Sequence, residues 1–198
     1  MVRPRRGEGV PANKRLENAF WDMFAEMSFD DITVSSISKR AEVNHNTFYY
    51  YFDNLDSMAS QMIEQNLISD MPLLVLSGFS TGTFDLDQIM ASQDARQKFQ
   101  RICILAGPNS ASWMRDKLMD AVYNLWMKSI GINTFDLTRD EKIIFTFAIG
   151  GLLAVLGEHA QSGDPSELKI ILESDLGRGL ISTIANLLND HRERQDDC

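Results

Sequence analysis

Two cysteines in 198 residues, Cys103 and Cys198, leave no disulfide framework to hold a fold of this length. Cys103 lies in an apolar run and reads as a core thiol, whereas Cys198 is terminal. Histidine is almost as scarce. His45, His159 and His191 show no metal-ligand spacing, no glycine-rich loop is present to cradle phosphate, and no nucleophile stands beside a base. The chain therefore does not read as an enzyme, and no cofactor or metal is expected. Long hydrophobic runs are missing too. The stretch from Ile143 to Gly157 is too short to span a bilayer and is interrupted by Thr146. The start, MVRPRRGEGVP, carries charge with no apolar core behind it, unlike a signal peptide. These absences together predict a soluble, cytoplasmic protein with no membrane partner.

Positive charge is also short, and its distribution is uneven. The chain carries a net charge of −9, of which residues 1–60 account for −2 and residues 61–198 for −7. Residues 1–15 alone carry +4, through Arg3, Arg5, Arg6, Lys14 and Arg15 against Glu8. This basic arm is either a phosphate contact for a nucleic-acid binder or a solubilising tail.

What is present is helical periodicity. Leu16, Ala19, Phe20, Met23, Phe24 and Met27 recur at three- and four-residue steps, an amphipathic stripe. Ser28 to Asp31 ends that helix, and Thr33 stands where an N-cap would satisfy the free amides of the next. Ile37 and Ala41 face inward from this second helix, with Val34 and Val43 closing its ends. Asn44 is placed to cap a third helix whose Phe48 and Phe52 point into the same core, with Tyr51 partly joining them. Asp53-Asn54 breaks it and caps a fourth, carrying Met58, Met62 and Leu67 to about residue 70. From Met71 to Asp85 the pattern fails around Pro72, Gly78 and Gly82, which reads as a connection. Further helices are predicted over about 86–106, broken near Ser92, and over 110–130, 139–161 and 166–190. No useful period-2 alternation appears, so the chain reads as all-α.

The most specific segment is Thr33 to Phe52. Two short helices joined by a tight turn, the second with polar and aromatic side chains on its outer face, form a helix-turn-helix layout. The runs Thr33-Val34, Ile37-Ser38, Ala41-Glu42-Val43-Asn44, Asn46-Thr47-Phe48-Tyr49-Tyr50-Tyr51-Phe52 and Asn54-Leu55-Asp56 carry the pattern within residues 14–60, some 45 residues in all. This stretch resembles the N-terminal DNA-binding domain of TetR-family transcriptional regulators. The resemblance implies an N-terminal three-helix helix-turn-helix DNA-binding domain and a C-terminal helical ligand-binding and dimerisation domain. It divides the chain into a basic arm (1–13), a DNA-binding head (14–60) and an effector-binding, dimerising body (61–198). It also implies a homodimer on a palindromic double-stranded DNA operator, repressing transcription in response to an unknown small-molecule effector. The competing readings are a head degenerated into a protein-interaction module and an all-α enzyme. Three positions depart from the family pattern: Glu42 replaces the turn glycine, Leu55 stands where the family has a phosphate-contacting lysine, and Asp53 adds a negative charge beside it.

The DNA-contact candidates come from the recognition helix. Asn44, His45, Asn46 and Thr47 occupy its start, where Asn46 can pair bidentately with adenine and Thr47 can meet a thymine methyl. Tyr49 and Tyr50 lie on the outer face, and the resemblance favours Tyr49 for phosphate contact. Thr33 and Ser35 at the start of the preceding helix, with Arg3, Arg5 and Arg6 of the arm, complete the set. In the body, Phe99, Cys103, Trp113, Met114, Tyr123 and Trp126 are candidates for an adaptable apolar ligand pocket, and equally for ordinary core. Ile143 to Gly157, apolar nearly all round with Gly150, Gly151 and Gly157, and the stripe Leu176, Leu180, Ile184, Leu187 and Leu188 suit a helix bundle across a two-fold axis or the closure of a monomer core.

Overall fold

The computed structural model describes residues 10–67, 90–129, 131–133, 136–158, 160, 166–180, 182–184 and 186. The arm arginines Arg3, Arg5 and Arg6, the connection at 71–85, His159, His191, Cys198, and Leu187 and Leu188 lie outside these. Every regular element among the described residues is a helix.

The head begins with α1 (Ala12–Glu26), whose Leu16, Ala19, Phe20, Met23 and Phe24 are buried as their spacing predicts. Trp21 is buried too, because a second surface, that of the body, covers the side of α1 that carries it. A 3-10 turn (Phe29–Asp31) comes next, and Phe29 packs edge-on against Phe24 at 6.2 Å. Helix α2 (Val34–Arg40) starts on a reciprocal capping box: the Ser36 amide donates to Thr33 Oγ1 at 3.1 Å, and the Thr33 amide donates to Ser36 Oγ at 2.9 Å. It ends in a Schellman turn, with the Glu42 amide donating to the Lys39 carbonyl and the Val43 amide to the Ser38 carbonyl. Glu42 takes the left-handed conformation there, with φ 53°. Of the two outcomes open to a non-glycine residue at this turn, strain is the one adopted.

Helix α3 (His45–Tyr51) is capped by Asn44, whose Oδ1 accepts the Asn46 amide at 2.9 Å. Phe48 and Phe52 point into the core, their rings 5.5 Å apart. Tyr51 does not join them. It is 41 % exposed and packs edge-on against Tyr50, because successive helical residues turn by about 100° and Phe48 and Phe52 already fill the inner face. Asn54 caps α4 (Leu55–Leu67) through the Ser57 amide at 2.7 Å. Buried Met58, Ala59, Met62 and Ile63 seat α4 between head and body.

The body is built on α5 (Gln93–Ala106), α6 (Ser112–Ser129) and α7 (Arg139–Glu158), which pack against one another, with α5 and α6 also packed against α4. Ser92 caps α5. Gly131, at φ 73°, ends α6 in a second Schellman turn. Thr138 and Glu141 form a capping box at the start of α7. Gly157 brings α7 against the end of α5, so closely that a methyl there would collide with the Ala106 carbonyl.

The helix expected over 166–190 is interrupted. Helix α8 (Ser166–Glu173) stops at Ser174, whose hydroxyl donates to the Ile171 carbonyl at 2.6 Å and accepts the Gly177 amide at 3.0 Å. A serine side chain here competes with the backbone for the helix's own hydrogen bonds and starts a new helical stretch at 175–180. The break changes the facing of the residues beyond it: Leu176, expected on the inner stripe, is 70 % exposed, while Ile184 is buried.

Candidate nucleic-acid interface

Helix α3 has only seven residues, too few to be stable in isolation, so its orientation is set by its anchors. The Asn44 cap and two buried phenylalanines fix it, and the opposite side is left to solvent. On that side stand His45, Asn46, Tyr49 and Tyr50, with Tyr49 53 % and Tyr50 81 % exposed. The His45 ring packs on Tyr49 at 5.3 Å, which aligns the two along the outer face. Asn46 offers its amide side chain outward, with only its backbone committed to the cap. These four form one continuous polar and aromatic surface.

The remaining head candidates contribute less. Thr47 is half-buried. Asn44 spends its side-chain oxygen on the Asn46 amide, and Thr33 spends its hydroxyl on the capping box, where it also donates to Ser36 Oγ at 3.0 Å. Ser35, one residue into α2, is exposed. These positions therefore divide into residues that shape the head and residues that face outward from it.

The electrostatics of the surface are muted. Arg40 is held by Glu26 in a bidentate pair at 2.7 and 2.9 Å. The Arg40 hydrogen bond lowers the Glu26 pKa from its ordinary value, and the same bond raises that of Arg40. Lys14 pairs with Glu17 at 2.9 Å, and Arg15 donates to the Glu42 carbonyl at 3.1 Å. Two of the five cations counted in the N-terminal stretch are thus engaged within the head. Leu55 is half-buried against the core, and Asp53, Asp56 and Glu42 are exposed. Lys39, in the last turn of α2, is an exposed cation that sequence alone did not single out. Its place beside the turn into α3 was the available signal.

In the body, Phe99, Cys103, Met114 and Trp126 are buried in the core. Burial pushes the Cys103 thiol up to about 12, so it remains protonated and unreactive at neutral pH. Trp113 is half-buried and packs edge-on against Phe29 of the head at 5.8 Å. Tyr123 meets Phe145 at 6.5 Å, and desolvation raises its pKa. Two surface clefts, one between α1 and α5 and one on α7, contain none of these six residues. Asn66, on α4, was not singled out by sequence. It is buried, its amide donates to the Lys98 carbonyl at 3.1 Å, and its Oδ1 accepts no hydrogen bond. Its step from Met62 and Ile63 places it on the inward stripe, a signal legible in the sequence.

No helix among the described residues is long and apolar enough to cross a membrane. Residues 18–62 match the family model described as bacterial regulatory proteins, tetR family. A solved structure, the dihydroxyacetone kinase operon activator DhaS, aligns over 92 % of this chain and 97 % of its own at 19 % identity, with a TM-score of 0.37. No curated protein matches the chain.

Proposed function

We propose that this chain, whose residues 18–62 match the bacterial regulatory proteins of the tetR family, is a DNA-binding transcriptional regulator that acts as a homodimeric, ligand-responsive repressor on a palindromic operator. The observation that carries the reading is the outer face of α3, where Asn46, His45, Tyr49 and Tyr50 stand exposed on a helix fixed by its cap and the core. In this reading Asn46 contacts a base edge, Tyr49 and Tyr50 contact phosphate or sugar, and the arm arginines Arg3, Arg5 and Arg6 add counter-charge. The protein works in the cytoplasm, where its DNA is, and the reading assigns it no enzymatic step.

Dimerisation is supported by the outer face of α7. Ile143 and Phe147 are 57 % and 64 % exposed, and Gly151 and Ala154 continue the same face, with Arg139 and Lys142 at its rim. Ile170 and Leu176 are likewise exposed, beside the carboxylates Glu173 and Asp175. Glu173 and Asp175 are already paired with Lys169 at 3.9 Å and Arg178 at 2.7 Å, so it is the apolar side chains of the two faces that would cover each other across a two-fold axis. Paired heads would then read half-sites about one helical turn, or a multiple of it, apart. Ligand response is supported by the methionine and aromatic core of the body and by Asn66, whose buried, unpartnered oxygen a ligand donor would satisfy.

A gel shift with the DNA flanking its own gene, at low and moderate salt, tests the reading. Retardation is expected, with Asn46→Ala relaxing preference at one base position and Tyr49→Phe weakening all sequences alike. No retardation at either salt would sink DNA binding and favour a protein-contacting head, the reading that Leu55, Asp53 and the internally paired cations support. A chain that sediments as a monomer at every concentration would overturn the dimer. Loss of reporter expression when the gene is deleted would make it an activator, and substrate turnover without promoter binding would make it an enzyme.

A further inference from the structure

An open cleft of about 370 Å³ lies where the head meets the body, between α1 and α5. Asn18, Trp21 and Asp22 line one wall, and Gln97, Gln100 and Arg101 line the other. This cleft is separate from the outer face of α3 and from the buried aromatic core of the body, and its polar character sets it apart from both.

Arg101 is its central group. Its guanidinium lies over the Trp21 ring, 4.9 Å from the centroid, and no hydrogen bond or ion pair holds it among the described residues. Partial burial lowers its pKa from the ordinary guanidinium value, opposed by the more distant carboxylates of Glu17, Asp94 and Asp22. A guanidinium carries five N–H donors in a planar fork, and a half-buried one without an acceptor is poised to take a carboxylate.

The other charges of the cleft decide what else the ligand must carry. Glu17 is paired with Lys14 at 2.9 Å and Asp94 with Lys98 at 2.7 Å, and Arg40, which faces Asp22 from the second helix, is already held by Glu26. Among the described residues, one cation and one carboxylate of the cleft, Arg101 and Asp22, therefore remain unpaired. A simple anion would satisfy the first and be repelled by the second. A zwitterion satisfies both, and the carboxamides of Asn18, Gln97 and Gln100 offer donors and acceptors to a neutral polar remainder.

We infer that the cleft between α1 and α5 is a binding site for a small zwitterion of the amino-acid class, with its carboxylate on Arg101, its ammonium toward Asp22 and its polar remainder among the carboxamides. Because one wall belongs to the head and the other to the body, occupancy ties the two together.

Calorimetric titration of the full-length chain at neutral pH and low salt provides the test, with glycine, γ-aminobutyrate and L-glutamine as zwitterions of increasing length, and acetate and methylammonium as the separated charges. Saturable binding of at least one zwitterion is expected, weakened about tenfold or more by Arg101→Gln and by Asp22→Asn. Asp22 is exposed, so its substitution tests the site even if the chain does not tolerate loss of the cation over Trp21. Three results would overturn the inference: no saturable binding of any zwitterion up to about 50 mM, acetate binding as tightly as the best zwitterion, or binding that survives both substitutions. None of these readouts involves DNA, so a failed gel shift leaves the test intact.

Discussion

In the head, α2 and α3 have seven residues each and stand on caps and aromatic rings; in the body, α5, α6 and α7 have 14, 18 and 20 residues and stand on one another. Isolated helices shorter than about 12–15 residues are marginal in water, so the head's outer α3 surface exists only while its core holds it. The body's helices are longer and draw their stability from packing on one another, so what specifies them is the fit between their faces. Function divides along the same line. The head exposes polar and aromatic groups from a rigid, locally determined platform, while the body leaves an apolar side of α7 in solvent.

The sharpest way to break this comparison is Phe48→Ala. Phe48 is fully buried beneath α3, and truncating a buried phenylalanine costs about 3–5 kcal/mol. DNA retardation should be lost, and urea unfolding followed by circular dichroism should shift as a single transition. A single transition is expected because the head is tied to the body: the Phe29 amide donates to the Asn109 carbonyl at 2.9 Å, Phe29 packs on Trp113, and Arg101 sits over Trp21. Two separated transitions would show that these ties are weaker than the head's own cohesion.

Next in size is a contrast within α7. Gly157→Ala places a methyl against the Ala106 backbone, and overpacking of this kind costs about 1–3 kcal/mol. At Gly151 a methyl meets nothing within 4 Å, so Gly151→Ala should gain about 0.5–1 kcal/mol of helix stability in the dilute chain. Urea midpoints at low concentration measure both. If the Gly151 gain turns into a loss as concentration rises, a second copy packs against that face.

Local signals made the head legible. Thr33, Asn44 and Asn54 read as caps from residue type and position, and the structure uses all three side chains as such. The stripe on α1 and the inward pair Phe48 and Phe52 came from spacing alone. Tyr51 went astray because three adjacent tyrosines leave the period ambiguous at the end of a short helix. The body was legible as helices but less so as faces. Ile143 to Gly157 is apolar nearly all round, so periodicity could not separate Phe145 and Ile149, which are buried, from Ile143 and Phe147, which are exposed. Ser174 and the Thr138–Glu141 box were visible in sequence, but a lone serine in an apolar helix and a short T-x-x-E carry little weight beside the longer pattern. On the outer face of α3, Asn46 and the tyrosines could be placed by register. The engagement of Arg40 and Arg15 could not, because it depends on contacts spanning 14 and 27 residues.

The value of a local cap sets the third prediction. Thr33→Ala removes the acceptor for the Ser36 amide and the partner for the Ser36 hydroxyl, and losing such a cap costs about 1 kcal/mol. The urea midpoint should fall accordingly, whereas Ser35→Ala, two residues on and exposed, should leave it unchanged. Equal losses for the two would mean that helix propensity, and not the cap, supports α2.

The smallest effect separates strain from charge at the turn between α2 and α3. Both head and body end a helix in a Schellman turn, but the body uses Gly131 at its left-handed position and the head uses Glu42. A side chain there costs about 1 kcal/mol in steric strain, which glycine removes while adding freedom to the unfolded chain. The Arg15 bond to residue 42 is made to the backbone carbonyl, so it survives any substitution. Glu42→Gly should therefore raise stability by about 0.5 kcal/mol. The same change removes an exposed carboxylate next to the recognition helix, and DNA affinity at low salt should increase. Glu42→Gln distinguishes the two causes, since it keeps the strain and removes the charge: its affinity should rise with stability unchanged. If Glu42→Gly lowers the urea midpoint, the turn holds its residue without strain, and the glutamate is kept for a contact its side chain makes on DNA or on a partner.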